Sequence, residues 1–204
     1  ARLPAFRAAG VTRLSIGVQS FDDGVLKRLG RAHRAREAHA TLEAARAAGF
    51  DDVSVDLIFG APGASPAQLD RDLDAIVALA PEHVSTYALT VEAGTPFGLA
   101  ARRGQLDLPG EDELVVAMGR IEARLSRAGL ARYEISRHAR RGFASRHNRR
   151  YWRREPVLGL GMAAWSSGPA APEAPHGVRE ANVRTLGAYL ERVEGGGTPV
   201  AERE

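Results

Sequence analysis

The chain has 204 residues, a hydrophobic fraction of 44%, a formal net charge of +3 and no cysteine. That is enough apolar material for one domain, or a large domain with part of a second. It excludes a disulfide, a thiolate metal site or a thiol nucleophile within this chain, and it points to a cytoplasmic location.

No run of about 18 apolar residues is present to span a membrane. The opening Ala1-Arg2-Leu3-Pro4-Ala5-Phe6 is not a signal peptide and has no initiator Met, so it reads as a fragment or a processed chain. Lys27 is the sole lysine beside many arginines. That bias reads as genome composition, and no nucleic-acid partner is expected from it.

Taken in chain order, residues 13–20 alternate as a strand. Leu14, Ile16 and Val18 share one face; Ser15, Gly17 and Gln19 share the other. Asp22 is placed to cap a short helix with Val25, Leu26 and Leu29, and a second helix over about 35–48 stops at Gly49. Residues 53–59 form a second strand, with Val53, Val55, Leu57 and Phe59 opposite Ser54, Asp56 and Ile58. Ser65-Pro66-Ala67-Gln68 then starts a helix whose buried stripe is Leu69, Leu73, Ile76 and Val77, ended by Pro81. Residues 84–90 make a third strand.

Strands separated by crossover helices form a parallel sheet. With helices on the apolar faces, Gln19 and Asp56 point inward together, at the end where a parallel barrel keeps its ligand. Three such units make half a barrel with an open edge, which implies missing upstream strands. Residues 94–110 look like a boundary. A helix over about 111–128 follows, with acidic residues first and Arg124 and Arg127 last. Tyr133–Ser136 reads as a short strand and 137–154 as an Arg- and His-rich stretch. A turn at Gly159-Leu160-Gly161, an Ala-Pro loop at 168–177 and a helix over about 184–194 complete the chain.

Several segments together carry a resemblance. They are Gly10-Val11-Thr12-Arg13-Leu14-Ser15-Ile16-Gly17-Val18-Gln19-Ser20-Phe21, Leu29-Gly30-Arg31-Ala32-His33, and Asp56-Leu57-Ile58-Phe59-Gly60-Ala61-Pro62-Gly63. The S-x-Y-x-L-x-x-E-x-G-T-P pattern in 84–97, Tyr133-Glu134-Ile135-Ser136 and Arg146-His147-Asn148-Arg149-Arg150-Tyr151-Trp152 complete the set. The whole resembles the radical S-adenosylmethionine (SAM) proteins of the coproporphyrinogen dehydrogenase group. The H-N-x-x-Y-W segment is similar to the haem chaperone branch rather than the oxidase branch.

The resemblance implies an α/β fold: a partial radical SAM (β/α) barrel over residues 1–100, and the start of a C-terminal α+β region over 101–204. It implies SAM contacts from Gln19, Arg31 and Asp56, and haem contacts from His147, Asn148, Tyr151 and Trp152. Asp56 suits ribose hydroxyls or an ammonium, Arg31 suits a carboxylate, and Gln19 suits either. The bland readings are a polar plug for Gln19 and Asp56, a solvated cation for Arg31, and a surface helix with packing aromatics for 146–152.

The family also holds a [4Fe–4S] cluster on three cysteines, for which this chain has no residue, so no metal ligand is assigned here. His33 matches a family position as an outer contact or as a capping or packing histidine. Glu92 and Glu134 match as interior carboxylates or ion-pair partners. Trp165 stands where relatives carry histidine. The implied function is binding of haem and its transfer to an acceptor protein, which can be membrane-associated. The alternative is oxidative decarboxylation of coproporphyrinogen III. A nucleic-acid role for 137–154 rests on charge alone.

Overall fold

The computed structural model of the chain describes residues 2–169 and 177–204. Two compact units, Ala1–Ala144 and Ser145–Glu204, divide it.

The first unit runs α1 (Leu3–Ala8), β1 (Arg13–Gln19), α2 (Asp23–Arg28), α3 (Ala35–Ala47), β2 (Asp52–Phe59), α4 (Pro66–Leu79), β3 (His83–Ala88), α5 (Pro96–Arg102), α6 (Glu111–Arg127), β4 (Ala131–Glu134) and β5 (Arg137–Ala139). Its sheet has the order β1-β2-β3-β5-β4. The first three strands are parallel, with Ile16 opposite Val55 and Asp56 opposite Ser85. β5 and β4 add antiparallel, with Arg137 opposite Ser85 and Glu134 opposite Arg137.

The alternation read from the sequence sets the layers. Val18, Val53, Val55, Leu57, Phe59 and Val84 turn to one side, where Leu42, Leu69, Leu73, Ile76, Ile121 and Leu125 cover them. Each such side chain contributes about 1.5–3 kcal/mol on full burial. Local signals place the helices. Asp22 accepts from Val25 N at α2, Ser65 accepts from Gln68 N at α4 with Pro66 in the first turn, and Glu113 reaches back to Gly110 N at α6. Gly60 at φ +73 turns the chain out of β2, and a Cβ there would lie 2.6 Å from Leu114 Cδ2.

The second unit holds α7 (Arg146–Trp152), β6 (Trp165–Ser167), β7 (Arg179–Asn182), α8 (Leu186–Glu194) and β8 (Val200–Arg203), with an antiparallel sheet β6-β7-β8. Gly159 passes so close to β6 that a Cβ on it would sit 2.4 Å from Trp165 O.

The structure departs from the sequence reading in three places. The boundary segment 94–110 contains α5, capped by Thr95 Oγ1 accepting from Gly98 N at 3.0 Å. The compact units divide after Ala144 rather than near residue 100, because α6 packs on α4 and the β4–β5 hairpin extends the barrel sheet. That hairpin also pairs the β3 edge, so the edge strands of this sheet are β1 and β4. The Ala-Pro loop at 168–177 falls largely on residues outside those described. No helix among the described residues is long and apolar enough to cross a membrane.

Candidate functional site on the open sheet face

The face of β1 and β2 opposite the core carries Ser15, Gly17, Asp56 and Gln19. Ser15 and Gly17 are exposed, and Asp56 and Gln19 half-buried. Ser15 Oγ donates to both Asp56 carboxylate oxygens, at 3.1 and 3.2 Å. The β1–β2 register slips between Ile16 and Gln19, and Gln19 adopts the left-handed conformation at φ +67. That conformation costs a non-glycine residue about 1–2 kcal/mol.

The Gln19 side chain folds back over Gly17: a Cβ on Gly17 would lie 2.8 Å from Gln19 Nε2. Gln19 Oε1 is buried without a hydrogen-bond partner. The site thus contains an unfilled acceptor beside a carboxylate on the neighbouring strand.

Asp72, which the sequence reading passed over, holds this strand end in place. The carboxylate is 1% exposed. It accepts from Ser20 Oγ at 2.9 Å and from Phe21 N at 2.7 Å, the two residues after Gln19. Gln68 Nε2 also donates to it. Burial pushes the Asp72 carboxyl above the usual carboxylate range, opposed by the Phe21 N–H and by Ser20 and Gln68. The signal was available, since Gln68 and Asp72 share the buried stripe of Leu69, Leu73 and Ile76.

His33 and Arg31 sit in the loop between α2 and α3. His33 Nε2 hydrogen-bonds Val18 O at 2.9 Å. Arg31 is exposed.

Farther along the same face, Ser54 Oγ meets His83 Nδ1 at 2.8 Å, and His83 Nε2 meets Tyr133 Oη at 2.8 Å. Burial lowers the His83 pKa to about 3, helped by the positive charges of Arg13 and Arg137. Arg137 donates to Tyr87 Oη at 3.1 Å and pairs with Glu134 at 3.5 Å. Glu134 is therefore an ion-pair partner. Glu92 is exposed, and its carbonyl accepts from Thr95 Oγ1 at 2.7 Å.

In the second unit, α7 sets His147 and Tyr151 on one face, their ring centroids 5.0 Å apart and edge-on at 89°. Tyr151 is 50% and Trp152 57% exposed. Asn148 is half-buried, and its N–H donates to Ser145 Oγ at 3.3 Å, capping the helix. Arg150 and Arg153 pair with Glu155. Trp165 lies under the Arg179 guanidinium, 4.5 Å from its ring centroid.

His138, by contrast, is buried, and neither ring nitrogen has a partner. It lines a cavity of about 160 Å³ with Met118 and Ile121, and burial lowers its pKa to about 4. It presents no face to a flat ligand. His176 lies outside the described residues.

Residues 1–76 match the radical SAM superfamily. The chain is 42% identical to "Heme chaperone HemW" of Mycobacterium tuberculosis, over 96% of this chain and 48% of that protein. It is 33% identical to the Bacillus subtilis protein of the same name, over 97% of this chain and 50% of that one. This is a radical SAM chain of the HemW type.

The HemW-type chain spans about half the length of these relatives. Its fold matches the coproporphyrinogen III oxidase HemN from Escherichia coli with a TM-score of 0.76 at 23% identity, over 99% of this chain and 48% of that one.

Proposed function

We propose that this chain supplies the haem-contacting helix and part of the SAM site of a cytoplasmic haem chaperone, which binds haem and passes it to a separate acceptor protein. The observation that carries this reading is α7, where His147 and Tyr151 share an exposed face flanked by Trp152. An imidazole ligates haem iron, and aromatic rings pack on a flat macrocycle. Arg149 in the last turn and Arg154 just beyond the helix are cations suited to propionates, and Ser145 caps the first turn by accepting from Asn148 N–H.

The open sheet face supports the SAM half. The buried Gln19 Oε1 lacks a donor, and an unpaired buried acceptor costs about 1–3 kcal/mol. An ammonium or hydroxyl group of SAM removes that cost. Asp56 accepts from the same groups, and Arg31 suits the carboxylate. SAM supplies a sulfonium that a [4Fe–4S] cluster can reduce. With no cysteine, this chain offers such a cluster no thiolate.

The test is haem titration by absorbance, beside SAM binding by calorimetry, on a protein extended to the relatives' length. Alanine variants at His138, His147 and His176 are compared. We expect His147→Ala to weaken haem binding at least tenfold, as roughly one lost metal–ligand bond, with SAM binding unchanged. Loss of haem only at His138, or at none of the three, overturns the α7 assignment. Turnover of coproporphyrinogen III would replace the chaperone reading with the oxidase one.

A further inference from the structure

The loop from Gly30 to Arg34 carries Arg31 and is pinned at both ends by local bonds. At its start, Gly30 is left-handed at φ +67 and Arg31 N donates to Leu26 O at 2.9 Å. At its end, Ala35 N donates to Asp23 Oδ1 at 2.8 Å and Arg34 N to Glu37 Oε2 at 2.7 Å. All three bonds stay within the α2–α3 segment, so they shape the loop without setting its position on the sheet.

Among the described residues, one side chain of the loop reaches the sheet by a hydrogen bond: His33, through Nε2 to Val18 O at 2.9 Å. A carbonyl only accepts, so the ring carries its proton on Nε2. The acceptor is not a helix end, which excludes a capping role for this bond. Val18 immediately precedes Gln19, the left-handed residue whose Oε1 lacks a partner. The ring's flank borders a hollow of about 220 Å³, lined also by Gly17, Glu37 and Thr41. Packing on that side is therefore incomplete, and the hydrogen bond is the specific link between loop and strand.

We propose that His33 is a positioning residue, which fixes Arg31 relative to Gln19 so that both can meet one ligand. The proposal rests on the reading of these residues as SAM contacts. His33 acts through Arg31 and touches no ligand itself.

The experiment is calorimetric SAM titration of the protein extended to the relatives' length. His33→Leu removes the donor, whereas His33→Gln keeps an N–H of similar reach. Each is made alone and in an Arg31→Ala background, with Asp56→Asn as the control for the SAM site itself. The loss of one net hydrogen bond predicts a weakening of about threefold to tenfold for His33→Leu. His33→Gln restores most of it, and His33→Leu adds little once Arg31 is gone.

The proposal is overturned if His33→Leu binds as the parent does, if glutamine fails to rescue, or if the loss persists undiminished without Arg31. Should the leucine variant not fold, His33→Phe keeps a ring, loses the donor and faces the same three outcomes. Unchanged affinity in Asp56→Asn would instead sink the SAM reading, a failure distinct from that of His33.

Discussion

Among individual residues, His138 is the least satisfied group described. Its ring is 2% exposed, and both nitrogens lack partners. A buried polar group without a bond costs about 1–3 kcal/mol. His138→Phe removes that cost, and the adjacent cavity of about 160 Å³ can take the extra ring volume. The expected result is a gain of about 1 kcal/mol in unfolding free energy at pH 7, read from urea denaturation. A loss of stability would show that the imidazole holds an ordered water. Asp72 is the opposite case, a buried charge-capable group with bonds from Ser20, Phe21 and Gln68. It holds the turn next to Gln19, whereas His138 sits behind the sheet.

At the scale of elements, helix starts were written plainly. Ser65, Pro66 and Gln68 are read directly as the first turn of α4, and the Ser65 side chain accepts from Gln68 N at 3.2 Å. Ser65→Ala should lower stability by about 1 kcal/mol, seen as a lower urea midpoint with an unchanged slope. An unchanged midpoint would mean that Pro66 and tertiary packing start the helix without the cap. The parity of β1 and β2 was equally legible, because five or more alternating residues fix a face. That parity sets Gln19 and Asp56 on the side opposite the core. β5 and β6 were not legible. Each is three residues long, and Arg137-His138-Ala139 and Trp165-Ser166-Ser167 show no alternation over such a length. The pairing of β5 is decided by β3, far away in sequence, and that of β6 by β7, the next strand beyond the Ala-Pro loop. His83, Tyr133 and Arg137 were missed for the same reason, since the sheet order β3-β5-β4 brings them together. The Gln19 backbone was missed because nothing local requires a left-handed glutamine.

For the whole molecule, acid is the informative stress. His83 and His138 have pKa values lowered to about 3 and about 4, against 6.5 for an ordinary histidine. Below pH 6.5 the unfolded chain takes up protons that the folded chain refuses until its own lower pKa is reached. Stability therefore falls as pH drops from about 6.5 toward 4. The slope is at most about 1.4 kcal/mol per pH unit for each histidine. The raised pKa of Asp72 acts in the other direction, since the folded state holds that proton more tightly. Urea midpoints at pH 7, 6 and 5 should descend, and the descent should be shallower in His138→Phe. A flat profile would mean that the two rings are hydrated in solution.

The left-handed glutamine has a consequence for how far this protein can be made robust. Glycine enters that backbone region freely, and Gln19→Gly also deletes the orphaned Oε1. The substitution should raise the unfolding free energy by about 1 kcal/mol while abolishing the proposed SAM contact. Thermal melts and calorimetry on the same variant would register both changes, and a lower melting temperature would show the strain to be compensated elsewhere. Selection for stability alone would remove this glutamine. On the proposed SAM contact, its presence is durability traded for recognition.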